Sequence, residues 1–163
     1  MRTLLMLALF MLAACDNSQE RLASLKKTFP TNSTCSMNPK ISQVVINGVT
    51  QEQKSSDLPY CKFTDDRGLV EAWYLTNGIE AHLKIDRNAK GEWDEGPNAP
   101  TLRNQVLVPI MTSFASYNAG EMRGCLNLAH EPGDPFMTMV NKPGRNVRCN
   151  RKGLEYWARV TDK

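Results

Sequence analysis

Apolar and polar positions divide this chain into three kinds of stretch. Residues 3–14 form an unbroken apolar block. Residues 16–28 set Leu22, Leu25 and Phe29 on one face at helical spacing. Asn17 or Ser18 can cap the start of that helix and Pro30 stops it. Most of the remainder is short β-branched or alternating runs separated by turn residues.

In the first half, the polar run 31–35 reads as a loop. Residues 41–46 read as a strand ending at the hairpin signal Asn47-Gly48. The polar residues 50–56 weaken the expected return strand. Further strands are expected over 60–64, 69–75 and 79–85, joined by Asp65-Asp66-Arg67-Gly68 and Asn77-Gly78. Turns this short join only antiparallel neighbours. Residues 86–100 are turn-rich. Thr101 can then cap one central helix, in which Leu102, Val106, Leu107, Ile110, Phe114 and Tyr117 repeat near 3.6 and Gly120 marks the end. Pro109 predicts a kink or restart there. The same window also alternates as a strand through Val106, Val108, Ile110, Thr112 and Phe114. Strands are expected again over 125–129, 135–140, 146–149 and 154–160, with turns at Glu131-Pro132-Gly133-Asp134 and Lys142-Pro143-Gly144-Arg145. The predicted class is α+β: a mainly antiparallel sheet with a short N-terminal helix and one central helix, forming a single domain over 21–163.

The apolar block is too short to cross a bilayer, which takes about 20 residues. It has the form of a secretory signal: a charged start at Arg2, an apolar centre and small residues at the cut. Its end, Leu12-Ala13-Ala14-Cys15, resembles the lipobox of bacterial lipoproteins. The resemblance covers only the first 16 residues or so. It implies a signal peptide over 1–14, cleavage before Cys15, a diacylglyceryl group on the Cys15 sulfur and a further acyl chain on the new amino terminus. Two or more chains anchor a protein stably where one binds reversibly. Residues 15–20 would then be a lipidated start and short tether. Asp16, next to the lipidated position, resembles the inner-membrane retention signal of enterobacterial lipoproteins.

Export changes the reading of the cysteines. Cys35, Cys61, Cys125 and Cys149 remain after the lipidated one, and an even number in an oxidising compartment implies two disulfides. Cys35–Cys61 with Cys125–Cys149 is the favoured pairing, each bracketing one predicted β unit and stabilising by roughly 3–3.5 kcal/mol. The spacing lacks the close cysteine pair of a zinc site. Net charge is +3 for the whole chain, and loss of Arg2 brings it nearer neutrality. Neither charge nor compartment points to nucleic acid.

Candidate chemistry is sparse. His82 lies inside an expected strand and reads as a surface or partner-satisfied residue. His130 stands beside Glu131 with Asp134 in the next turn, a set that could orient a general base. No Gly-x-Ser-x-Gly sequence presents a serine. Asp86-Arg87-Asn88 opens like a calcium loop, but Lys90 and Pro97 occupy ligand positions. Asp86, Asn88, Glu92, Asp94 and Glu95 could serve only a different cation site. Lys142, Arg145, Arg148, Arg151 and Lys152 gather positive charge that could face anionic headgroups or an acidic partner, or simply guard an edge strand. Of the adjacent pairs Trp73-Tyr74 and Tyr156-Trp157, one ring each should point outward as a binding anchor.

These features imply no cofactor. They favour a non-enzymatic interaction module, held by its lipid to the periplasmic face of a bacterial membrane, whose partner is another envelope protein. An envelope hydrolase using His130, Glu131 and Asp134, or a small-ligand carrier with a pocket between sheet and helix, are the alternatives.

Overall fold

The computed structural model describes residues 17–92, 96, 98–114, 118–128, 137–142 and 144–162, without side-chain detail for 137–142. Helix α1 spans Asn17–Thr28 and so begins inside the stretch read as a tether. Leu25 and Phe29 are buried, as their spacing requires. Four strands follow: β1 Thr34–Ile46, β2 Val49–Asp65, β3 Gly68–Leu75 and β4 Gly78–Ile85. A π-helical turn, Arg103–Leu107, then runs into α2, Val108–Phe114, and is followed by α3, Ala119–Leu128. The chain ends its described part with β5 Met137–Lys142, β6 Arg145–Lys152 and β7 Glu155–Asp162.

All seven strands join one antiparallel sheet in the order β1-β2-β3-β4-β7-β6-β5. The α+β class and both disulfides are therefore as expected. Among the described residues, the helices cover one face only. The middle row of that inner face runs Cys35, Cys61, Ala72, Ala81, Ala158, Cys149 from strand to strand. Alanine is a poor strand former. Its small side chain leaves room for the π-turn, α2 and α3, which lie against β4, β7 and β6. Larger residues flank the row on either side: Phe63, Val70, Leu83 and Tyr156, and then Ile79, Val160 and Val147, all buried.

Several expectations are corrected. Residues 31–35 are not all loop, since β1 starts at Thr34. The return strand is not weak either: β2 runs 17 residues without a break. Asn47 and Gly48 both take positive φ, 51° and 78°, which fits the right-handed twist of a two-residue hairpin and fixes the register along the polar stretch. Residues 125–128 are helical, not a strand. Asn118 and Glu121 form a reciprocal capping box, with both bonds at 2.9 Å, and Met122, Cys125 and Leu126 then fall on the buried face of α3. Gly120 lies in the first turn of that helix rather than ending the one before. The second disulfide accordingly joins α3 to β6 instead of bracketing a β unit.

The expected break at Pro109 takes the form of the π-turn. The Val108 N–H donates to the Arg103 carbonyl, five residues back, and Pro109 has no N–H to give Gln105. Thr101 caps the segment through its hydroxyl, which accepts from the Asn104 N–H at 3.2 Å.

Candidate functional site

A sheet covered on one side leaves the other face for recognition, and the strand alternation decides what it shows. On β3, β4 and β7 the inward residues are Ala72, Ala81 and Ala158 with their apolar neighbours. The outward ones are Glu71 and Trp73, then Glu80, His82 and Lys84, then Glu155, Trp157 and Arg159. Register places Glu71, His82 and Trp157 side by side in one row. Tyr60, Trp73, Glu80 and Arg159 form the next.

His82 is the centre of the first row. Its ring stacks on Trp157, with centroids 4.8 Å apart and planes 11° apart. Nδ1 lies 3.9 Å from Glu71 and Nε2 lies 3.7 Å from Glu155. Both lie beyond hydrogen-bond range, and Nε2 is shut from solvent with no hydrogen bond among the described residues. Tyr60 packs its ring 5.0 Å from Trp73 and donates its hydroxyl to Glu71 at 3.3 Å. Burial, reinforced by the Glu71 carboxylate beside it, pushes the phenol pKa up, so Tyr60 stays a neutral donor.

The second row is built on a buried carboxylate. Glu80 is 7% exposed and takes the Arg159 guanidinium from β7 and the Lys40 ammonium from β1. Lys40 reaches it across two intervening strands because the β1–β2 ladder shifts register between Pro39 and Ile41. The Ser55 hydroxyl takes the Lys40 N–H at that bulge, at 2.9 Å.

Beyond the bulge the hairpin leaves the sheet. Residues 45–57 are exposed without exception, and so is Ile41. This two-stranded arm carries Ile41, Val45, Ile46 and Val49, each at least half exposed. The sequence signal for it was the Asn47-Gly48 turn between apolar residues.

The basic residues are not brought together. Arg148 and Lys152 point to the outer face. Arg145 pairs with Asp162 at 3.1 Å and donates to the Phe114 carbonyl, and Arg151 stacks over Tyr156. The Lys142 side chain lies outside the described residues, as do Cys15, Asp16, His130, Glu131, Asp134, Asp94 and Glu95. Of the pairs of aromatics, Tyr156 is buried and Tyr74 packs against the core, while Trp73 and Trp157 face outward half-buried, matching the alternation.

Glu92 is built into the scaffold. At 4% exposure, it accepts the Leu102 N–H at 2.7 Å and lies 3.9 Å from Arg67. Burial raises its pKa, against the lowering effect of that N–H and of Arg67. Arg67 itself spans Asp65, the Pro100 carbonyl and Gln105, tying the 86–100 loop to the β2–β3 turn. Asp86 accepts the Asn88 N–H within its own turn. Among the described residues, no three His, Cys, Asp or Glu side chains gather to hold a metal. The space between sheet and helices is filled by Leu83, Leu107, Ile110, Met111 and Leu126, all fully buried.

No family model, curated protein or solved structure matches this chain.

Proposed function

We propose that this chain is a lipid-anchored, non-enzymatic interaction module of the bacterial envelope, and that its partner protein docks on the uncovered face of the sheet. The observation that carries this is the outward set Tyr60, Trp73, His82 and Trp157, displayed among Glu71, Glu155, Lys84 and Arg159. Half-buried aromatics held rigid by cross-strand packing lose little entropy when a partner covers them. The ion pairs around them supply orientation and discrimination. The strand framework fixes these groups before any partner arrives.

The anchor belongs to the same reading. Acylation of Cys15, with Asp16 holding the protein at the inner membrane, would present the module in the periplasm. Assembly factor, inhibitor or immunity protein, and exclusion factor are the roles that fit such a module.

A photo-crosslinking residue placed at Trp157 in cells should capture one discrete protein, and the same residue at Lys26 should not. Trp73→Ala should then weaken that adduct. Capture equal at both positions, or none at Trp157, would refute docking on this face. Labelled palmitate that fails to follow the protein, or persists in Cys15→Ser, would refute the anchor.

A further inference from the structure

We infer that the β1–β2 arm is a second membrane contact: its tip rests in the interfacial layer of the bilayer that holds the lipid anchor. This rests on the anchor in the proposed function, and adds a part of the chain to which that reading gives no role.

The first ground is where the chain enters the fold. Arg21 of α1 donates to the Leu75 carbonyl and lies over the Tyr74 ring, so the helix begins at the β3–β4 turn end of the sheet. Tyr60 pairs with Trp73, which in an antiparallel ladder puts Leu58, two residues before Tyr60, level with Leu75. Leu58 pairs with Asn38, and everything beyond that pair is arm. The arm therefore leaves the sheet at the end where α1 starts. Cys15 precedes Asn17 by two residues, a reach of at most about 7 Å. An acylated Cys15 holds this end of the domain against the bilayer. From Asn38 to Asn47 the arm spans about 30 Å at strand rise.

The second ground is the distribution of apolar side chains. Among the described residues, five large apolar side chains are strongly exposed, and four of them are Ile41, Val45, Ile46 and Val49. They do not share a face. Val45 stands opposite Thr50, while Ile46 and Val49 pair on the other side of the ribbon. A protein groove or a neighbouring strand would cover one side and leave the other wet. A lipid interface surrounds the tip. Depth is limited, because the outer edges of a two-stranded ribbon carry unpaired backbone groups that hydrocarbon cannot satisfy. Penetration of roughly 5–10 Å, to the headgroup and acyl boundary, keeps those groups and the Asn47-Gly48 turn hydrated.

The test uses the full acylated chain reconstituted in vesicles of phosphatidylethanolamine and phosphatidylglycerol. An environment-sensitive fluorophore is attached through Val45→Cys, and separately through Lys26→Cys at the far end of α1. The Val45 probe should shift to the blue and be quenched severalfold more strongly by nitroxide-bearing lipids than the Lys26 probe. Equal, weak quenching at both sites, with palmitate present on Cys15, would overturn the arm contact and leave the anchor standing. Absence of palmitate would remove the anchor and this inference with it. A Val45 shift that grows with protein density and is untouched by lipid nitroxide would instead assign the arm to a second copy and overturn the inference.

Discussion

The Lys40 ammonium lies 2.5 Å from the Glu80 carboxylate, although β2 and β3 run between their strands. The contact fixes the root of the arm against the open face of the sheet. Glu80→Gln leaves Lys40 and Arg159 facing each other without their anion, and should destabilise the fold by about 1–3 kcal/mol. Lys40→Met keeps the Arg159 pair and should have a smaller global effect. Its signature is local: faster amide exchange over residues 42–53 than in the wild type. Exchange there unchanged by Lys40→Met would show that the pair does not hold the arm.

Glu92 predicts a pH dependence of stability. Its folded pKa is raised above the ordinary 4.5, so the folded state holds the proton more tightly than the unfolded chain. That contribution is complete below 4.5 and is lost as pH climbs through the raised folded value. Glu92→Gln removes the titration while an amide oxygen still accepts the Leu102 N–H. Urea unfolding at about pH 4 and about pH 7 should therefore show the wild type losing stability relative to the variant on going up in pH. The opposite trend would mean that Arg67 and the Leu102 N–H outweigh burial.

Cys125–Cys149 closes a loop of 24 positions between α3 and β6. Replacing both by Ser should remove about 3 kcal/mol of stability in the chain-entropy picture. The effect should include loosened packing of α3, read as lost near-ultraviolet circular dichroism with strand content kept. Cys35–Cys61 links residues already opposite one another in a ladder. Its removal should leave the tertiary signal of α3 intact.

Gly78 opens β4 directly against β7. A Cβ there would collide with the Val160 carbonyl oxygen and lie 2.8 Å from the Thr161 Cα. Both obstacles are backbone, so Gly78→Ala should lower stability by about 1–3 kcal/mol, measured by thermal melting. Gly144 and Gly153 have nothing within 4 Å of such a Cβ, and only their positive φ opposes the same change.

The legible and illegible parts of the chain separate on a physical line. Strand β4 could be read because inward Ile79, Ala81 and Leu83 alternate with outward Glu80, His82 and Lys84, and a one-residue slip would reverse every one of them. Strand β3 could be read from the turns that bound it, Asp65-Asp66-Arg67-Gly68 and Asn77-Gly78. The full length of the hairpin could not: residues 50–56 bury nothing, and only pairing with β1 makes them a strand. Helix α3 was missed because Cys125 and Leu126 suit either element. The deciding signal, Asn118 with Glu121 three residues on, lies at its very start, ahead of Cys125 and Leu126. The His82 row was hidden for a different reason. Glu71 and His82 face each other across the β3–β4 hairpin, but Trp157 and Glu155 join them only through the β4–β7 pairing, which links parts of the chain far apart in sequence.

That same pairing sets the order in which the molecule can be finished. Strand β7, the most C-terminal of those described, occupies a position inside the sheet, between β4 and β6. A nascent chain can close the β1–β4 ribbon early, but two raw edges persist until residues 155–162 slot between them. A chain that folds from its amino end therefore stays incomplete until its rear is available, and clipping off that segment would leave two sticky halves.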